Sequence, residues 1–481
     1  MTDIRYVCLS DMHLGEEDSL LTNLETAKSK IDPLKPSPVM RELVNCLEYL
    51  LGENKGGDKP TLILNGDILE LALTTTNEAG MVFEQFIKLI MGKGNEFFKD
   101  IIYVPGNHDH HLWEIARESQ YAKHIETIKV GKELPVPWHA TNMFVEQKPR
   151  PPAYFLNKLI QRNNHLKDFE ITTAYPNYGL LREDDSKCVI FHHGHYIESL
   201  YHLMSTLKRM IFPDQKPPVH VWDIEAENFA WIDFFWSAMG RSGDVGHDVE
   251  LIYEKMQDKE QFKKLLYNLA TSLAKKYDLP GWGDAMEAQI LKWVFSAAVD
   301  AVVGTERGHV GQLLSKDAET GLRAYMNGPL VAQNNIERKE GADLEHDISE
   351  DVTFIFGHTH KPFSQDMSLK KYSNWVNVYN TGGWVVESVD PQPLHGGAMV
   401  LLDDDLNAAS VRLYNEQAEP GNYVVRVEEA MRAGEKANPL HKKLAKLVDP
   451  AKNPWKGFSA AVARSVHVRE QHLRARIHEK D

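Results

Sequence analysis

Five short apolar runs punctuate the chain: RYVCLSDMH (5–13), TLILNGD (61–67), IIYVPGNHD (101–109), KCVIFHHGH (187–195) and VTFIFGHTH (352–360). Each is apolar, often β-branched, and turns at once to Gly, Asp, Asn or His. Continuous runs of this kind predict strands buried on both faces. Between the first runs, PVMRELVNCLEYLLG (38–52) and MVFEQFIKLIMGKG (81–94) space their apolar residues as helices do, with Gly52 and Gly94 as C-terminal stops. Strand, helix, strand, helix, strand predicts a mainly parallel α/β sheet, whose binding residues gather at the carboxyl ends of the strands. Every polar cluster among these runs falls at such an end.

After His195 the pattern changes. Residues 196–349 predict a helical insertion, clearest at 199–212 and 249–277. It separates two strands that both end in candidate site residues. Alternating runs at 375–388 and 397–405 predict a further sheet layer. From Glu416 the chain predicts basic helices, with DPAKNPWKG (449–457) as a turn-rich linker. The expected division is one domain from 1–195 and 350–415, a helical cap at 196–349 and a helical extension at 416–481.

Charge adds an asymmetry. Residues 431–481 hold twelve Lys or Arg against five Asp or Glu, a net of +7 in a chain of net −15, so the rest carries −22. The basic tail either docks on the acidic body or meets an anionic partner. The acidic body argues against nucleic acid, although the tail keeps it open. No apolar stretch is long enough to span a bilayer. The opening MTDIRYVCLSDMHLG lacks the pattern of a secretory signal. Three cysteines, an odd number in a long chain, argue against a disulfide framework; the expected location is the cytoplasm.

The run ends offer Asp11 and His13, Asp67, Asn107 and His108, His192, His193 and His195, and His358 and His360. On extended strands, residues i and i+2 share a side, so Asp11 with His13, and His358 with His360, are each expected to face one centre. Carboxylates, imidazoles and an amide oxygen suit manganese, iron, zinc, nickel or cobalt. Seven such ligands are too many for one ion and right for two. Taken singly, an Asp-x-His or NGD is a turn and an HTH a satisfied pair. Five together, each closing an apolar run, set those readings aside.

The series DMH, GD, GNHD, HGH and GHTH resembles the calcineurin-like metallophosphoesterase superfamily, over residues 1–195 and 350–415. The resemblance implies a metallophosphoesterase-type β-sandwich flanked by helices. It implies two divalent metal ions, manganese first. Asp11, His13, Asp67 and His360 would hold one ion; Asp67, Asn107, His193 and His358 the other, with Asp67 bridging. His108 matches the family's catalytic histidine, assisting the leaving group, and Asp109 the carboxylate that orients it. His195 and His110 are expected to line the substrate site. The implied activity is hydrolysis of a phosphorylated small molecule, monoester or diester. No oligomeric state follows.

GDILE, GNHDHHLW and HHGHYIESL are also similar to lipid A pathway enzymes that cleave a pyrophosphate in a UDP-diacylglucosamine. The chain departs from them in His108, where that subgroup has Arg, and in its longer insertion. Pyrophosphohydrolysis of a nucleotide-linked lipid is therefore the alternative, with a non-catalytic scaffold as the rival from another class. In the insertion, Trp222, Trp231 and Trp236 with Phe229, Phe234 and Phe235 read as the core of a cap or as an apolar wall beside the site. Lys208, Arg209 and Arg241 are candidate phosphate contacts.

Overall fold

The computed structural model describes residues 2–480 apart from 26–29, 145–149, 213, 239–305, 307–310, 340–347, 418–422 and 432–437. Two sheets stack face to face. The first runs β1 (Tyr6–Leu9), β4 (Thr61–Leu64), β7 (Asp100–Tyr103) and β8 (Thr172–Thr173) in parallel. Across β1 it continues with β14 (Gly396–Leu402), β15 (Ala408–Asn415) and β16 (Arg426–Glu428), all antiparallel to their neighbours. In the second sheet β10 (Lys187–His192), β11 (Asp351–Phe356) and β13 (Val376–Asn380) are parallel, edged by antiparallel β9 (Asn177–Leu181) and β12 (Phe363–Met367). Two short hairpins, β2 with β3 (Leu24–Glu25, Lys30–Ile31) and β5 with β6 (Met91–Gly92, Asn95–Glu96), lie outside these sheets.

The strand runs are apolar throughout because each face meets its own layer. In β1, Val7 and Leu9 face the helices while Cys8 enters the layer between the sheets; in β4, Leu62 and Leu64 flank Ile63 in the same way. In β10, Cys188 and Ile190 point to the insertion, Val189 and Phe191 to the inter-sheet core. The period of two thus sorts one unbroken run into two cores. Cys8, Cys46 and Cys188 are all buried.

On the outer face of the first sheet lie α1 (Pro38–Gly52), α2 (Thr76–Ile90), α3 (His110–Glu126) and α4 (Tyr154–Ile160). Ser37 caps α1 by accepting the Met40 N–H, and Pro38 follows where no donor is needed. The helix has the bounds its spacing predicts. The other helix differs: α2 starts and ends earlier than expected, and Gly94, at φ +79°, makes the turn of the β5–β6 hairpin instead of stopping the helix. The runs expected to form a further layer complete the two sheets instead, β13 beside β11 and β14 beside β1.

The insertion covers the outer face of the second sheet. Its described elements include α5 (Leu203–Ile211), α6 (Val221–Ile232) and helices at Lys316–Tyr325 and Val331–Lys339. The helical pattern at 249–277 and Arg241 lie outside the described residues.

The C-terminal stretch adds β16 to the first sheet before helices at Pro439–Leu447 and Trp455–Lys480. Its last helix docks on the body. Trp455, Phe458 and Val462 enter the core, and Trp455 opens that helix where a linker was expected. Buried Arg469 donates to the carbonyls of Ser19 (3.0 Å) and Thr22 (2.6 Å), and Arg476 pairs with Glu17 and Asp18. Phe458 meets the Trp384 ring, and the Trp384 backbone N–H donates to the carbonyl of Asp11. The tail thereby supports the site from behind. Phe458→Ala is expected to lower stability by about 3–5 kcal/mol, read as a lower denaturant midpoint with an unchanged slope; an unchanged midpoint would show that the tail is not integral.

Candidate dimetal centre

The first residues beyond β1, β4, β7, β10 and β11 converge at one end of the sandwich. Five of them are non-glycine residues with left-handed backbones: Asp11 (φ 49°), His13 (43°), Asp67 (50°), His358 (69°) and His360 (57°). The paired residues were expected to lie on extended strand. They lie instead past the strand ends, in tight turns that aim each side chain inward. Such conformations cost roughly 1–3 kcal/mol each and persist where the surroundings enforce them.

The surroundings do so here through main-chain bonds. Asp11 N–H donates to Gly66 O, His13 N–H to Asp67 O, and Gly357 N–H to His193 O. The His358 N–H donates to Asp11 Oδ1 at 2.8 Å and the His108 N–H to Asp67 Oδ1 at 2.7 Å. Backbone comes so close to these carboxylates that two positions admit no side chain. A Cβ on Gly106 would lie 2.3 Å from Asp67 Oδ1, and one on Gly357 2.0 Å from Asp11 Oδ2.

The seven candidate ligands come together. Asp11, His13 and His360 form one cluster, and Asp67, His193 and His358 another; within each, the nearest ligand atoms lie inside 4.8 Å of one another. Asp67 lies between them, with Oδ2 3.1 Å from His193 Nε2 and 3.8 Å from His13 Nε2. Asn107 Oδ1 is 3.0 Å from His193 Nε2, and His360 Nε2 is 3.2 Å from His13 Nε2 and 3.5 Å from Asp11 Oδ1. With His108, none of these residues is more than 2% exposed.

A carboxylate or carbonyl stands behind each ring. His13 Nδ1 meets Glu70 Oε2 at 2.7 Å, His360 Nδ1 meets Glu387 Oε1 at 2.7 Å, and His193 Nδ1 meets the Asn65 carbonyl at 3.2 Å. His358 is held by its other nitrogen, Nε2, at 2.8 Å from Glu198 Oε1. The hydrogen bonds of His13 and His193 fix the tautomer and turn the opposite nitrogen inward, as around metal-bound histidines, while the Glu387 and Glu198 contacts are ion pairs. Glu70 also meets His108 Nδ1 at 3.0 Å through Oε1, which accepts the Ala72 and Leu73 N–H groups as well.

That place was expected for Asp109. The Asp109 carboxylate instead accepts backbone N–H groups of Asp67, Ile68, Leu69 and Gly106, so it fixes the loop rather than the ring. Asp109 stands immediately before α3, and its side chain reaches back to the loop, to Gly106 three residues earlier, while Glu70 follows the Asp67 turn and meets His108.

The charges ask for cations. Burial would raise the Asp67 pKa, yet His193 and His108 beside it hold it well below the usual range. Burial works against a charged His193, yet Asp67 pushes it up to about 9. Burial and the Asp67 charge raise Asp109 to about 6. With His193 Nδ1–H turned to a carbonyl, its Nε2 faces the oxygen of Asn107. A proton on Nε2, which the raised pKa of His193 supplies, or a cation in its place meets both groups. The donor set therefore fits hard-to-intermediate divalent ions.

The two histidines expected to line the substrate site are both buried among protein groups. His195 is fully buried with Nε2 3.2 Å from the Tyr175 hydroxyl, and burial holds it neutral. His110 Nε2 meets Glu225 Oε1 at 2.7 Å. Both belong to a protein network with Tyr175, Tyr196 and Glu225, although the His195 ring also lies 5.7 Å from that of His193. His192 faces the opposite side of its strand, as expected, its ring tilted against Tyr325. Glu70, Glu198, Glu225 and Glu387 were missed. Only Glu70 left a signal, three residues after Asp67 in GDILE.

Residues 4–231 match the family model described as calcineurin-like phosphoesterase. That stretch, just under half of the chain, is thus similar to a family of metal-dependent phosphoesterases. The match ends before GHTH, which the pairing of β11 with β10 brings into the same site. A solved dimetal phosphatase from Danio rerio is similar at 10% identity, covering 85% of this chain and 95% of its own, with a TM-score of 0.28. The sequence matches none of the curated proteins.

Gly106→Ala is expected to cost about 1–3 kcal/mol by forcing Asp67 aside. Gly52→Ala, where a Cβ meets nothing within 4 Å, should leave stability unchanged or slightly higher. Equal melting temperatures for the two variants would contradict the close approach at Gly106.

Proposed function

We propose that the protein hydrolyses phosphate esters of small molecules with two divalent ions, manganese first and iron, zinc, nickel or cobalt as alternatives. Asp11, His13 and His360 would hold one, Asn107, His193 and His358 would hold the other, and both would share Asp67. The observation that supports this most is the placement of Asp67 between two clusters drawn from five strand ends. Ions held there supply Lewis acidity toward the phosphoryl oxygens and lower the pKa of water.

The chain's own groups do the rest. Asp11 and Asp67 bring two buried negative charges that favour the ions. Glu70 holds His108 through Nδ1, so Nε2 is the atom that delivers a proton or hydrogen bond to the leaving oxygen. The burial of the centre excludes bulk water and strengthens each of these interactions.

A cavity of about 500 Å³ lies in the insertion, and neither His108 nor any of the seven candidate ligands lines it. It is lined in part by Glu198, His202, Arg209 and Tyr325, and Glu198 connects it to His358. His108, where the lipid A subgroup has Arg, weighs against the nucleotide-linked lipid. A complete ligand set weighs against a scaffold. No helix among the described residues is long and apolar enough to cross a membrane. Buried cysteine side chains support a reducing compartment, the cytoplasm.

Metal-stripped protein should be inactive and recover with manganese on one class among monoesters, diesters and pyrophosphates. Asp67→Ala should lose bound metal and turnover together. His108→Ala should keep both metals while kcat falls roughly 10²–10⁴-fold. Full turnover in His108→Ala would remove His108 from the mechanism; turnover without any metal would overturn the whole reading.

A further inference from the structure

The centre is buried because part of the insertion sits on it. The Ser237 hydroxyl donates to the Asn107 carbonyl at 3.0 Å and accepts the His111 N–H at 3.2 Å. The Trp236 ring packs on the His108 imidazole, centroids 6.0 Å apart. It also meets Tyr201 at 5.3 Å, and Tyr201 meets His358 at 5.2 Å. Two aromatic rings thus span the centre from His108 to His358, both about 1% exposed.

The same segment is anchored one helix back. Glu225 on α6 is fully buried and accepts from His110 Nε2, from Tyr175 Oη at 2.9 Å and from Tyr196 Oη. His111 Nδ1 meets Asp233 Oδ1 at 2.9 Å. Residues 107 to 111 are therefore gripped from above by α6 and the turn that follows it. His108 lies between Glu70 below and Trp236 above.

We infer that the cap completes the active site: Glu225 latches α6 onto α3, and Trp236 is a positioning residue that seats His108 against Glu70. The inference rests on the proposed role of His108. A phosphoester reaches the centre only when this segment lifts, and the leaving-group step is assembled when it returns. Ordinary core packing would give Trp236 a stability role alone, so the test separates position from stability.

Six variants of the metal-loaded protein test this. Trp236→Ala should lower kcat on the order of ten- to a hundredfold, with KM little changed and metal content at the wild-type level. Trp236→Phe should restore part of the loss. Ser237→Ala, which leaves almost no void, should lower kcat several-fold. In the His108→Ala background, Trp236→Ala should cost nothing further, because both act at one group. Phe458→Ala serves as a control for lost stability away from His108. Glu225→Ala should speed amide hydrogen exchange over residues 221–232.

Impaired His108→Ala beside unimpaired Trp236 and Ser237 variants would overturn the inference and leave the proposed chemistry standing. Losses that multiply in the double variant would do the same, as would unchanged exchange in Glu225→Ala. Wild-type turnover in His108→Ala would instead remove the reading on which the inference rests.

Discussion

The buried negative charge of Asp67 organises this end of the molecule. A carboxylate out of water must be met by donors or cations. Here the loop from β4 presents it to the His108 N–H on one side and to His193 on the other. Its own N–H is held by Asp109, whose carboxylate ties the β4 and β7 loops together. Gly106 has no side chain because Asp67 occupies the space one would need. The left-handed turns, the glycines and the carboxylates and carbonyl behind the imidazoles all follow from holding several charged groups around this one.

The two-sheet architecture makes that convergence feasible. Asp11, Asp67 and Asn107 come from the first sheet, His193, His358 and His360 from the second. Stacking the sheets over a shared apolar core brings the ends of β1 and β4 against those of β10 and β11. The C-terminal helix reinforces the same corner through Phe458 and Trp384, whose N–H holds the Asp11 carbonyl. The insertion closes it from the other side. A site strained at five backbone positions is thus clamped by three layers, which is where strain of this kind survives.

Much of this was legible in the sequence, because strand ends carry both kinds of information. An apolar run such as TLIL predicts burial on both faces, and the polar residues after it mark the turn. What was not legible depends on the third dimension. The i and i+2 rule placed Asp11 with His13 correctly for the wrong reason, since both lie in left-handed turns beyond the strand. The carboxylates behind the rings are scattered: Glu198 starts the insertion and Glu387 follows β13, with nothing local to link them to GHTH. His195 and His110 look like site residues by position alone. Only the fold shows that Glu225, from far along the chain, draws His110 into a separate network. Asp109 sits next to His108 in sequence, but sequence adjacency does not decide which carboxylate faces the ring.

Anomalous diffraction from crystals of the manganese-loaded protein tests most directly whether Asp67 bridges two ions. The expected result is two anomalous peaks, one on either side of Asp67, the first bounded by Asp11, His13 and His360 and the second by Asn107, His193 and His358. A single peak, or peaks away from Asp67, would contradict it.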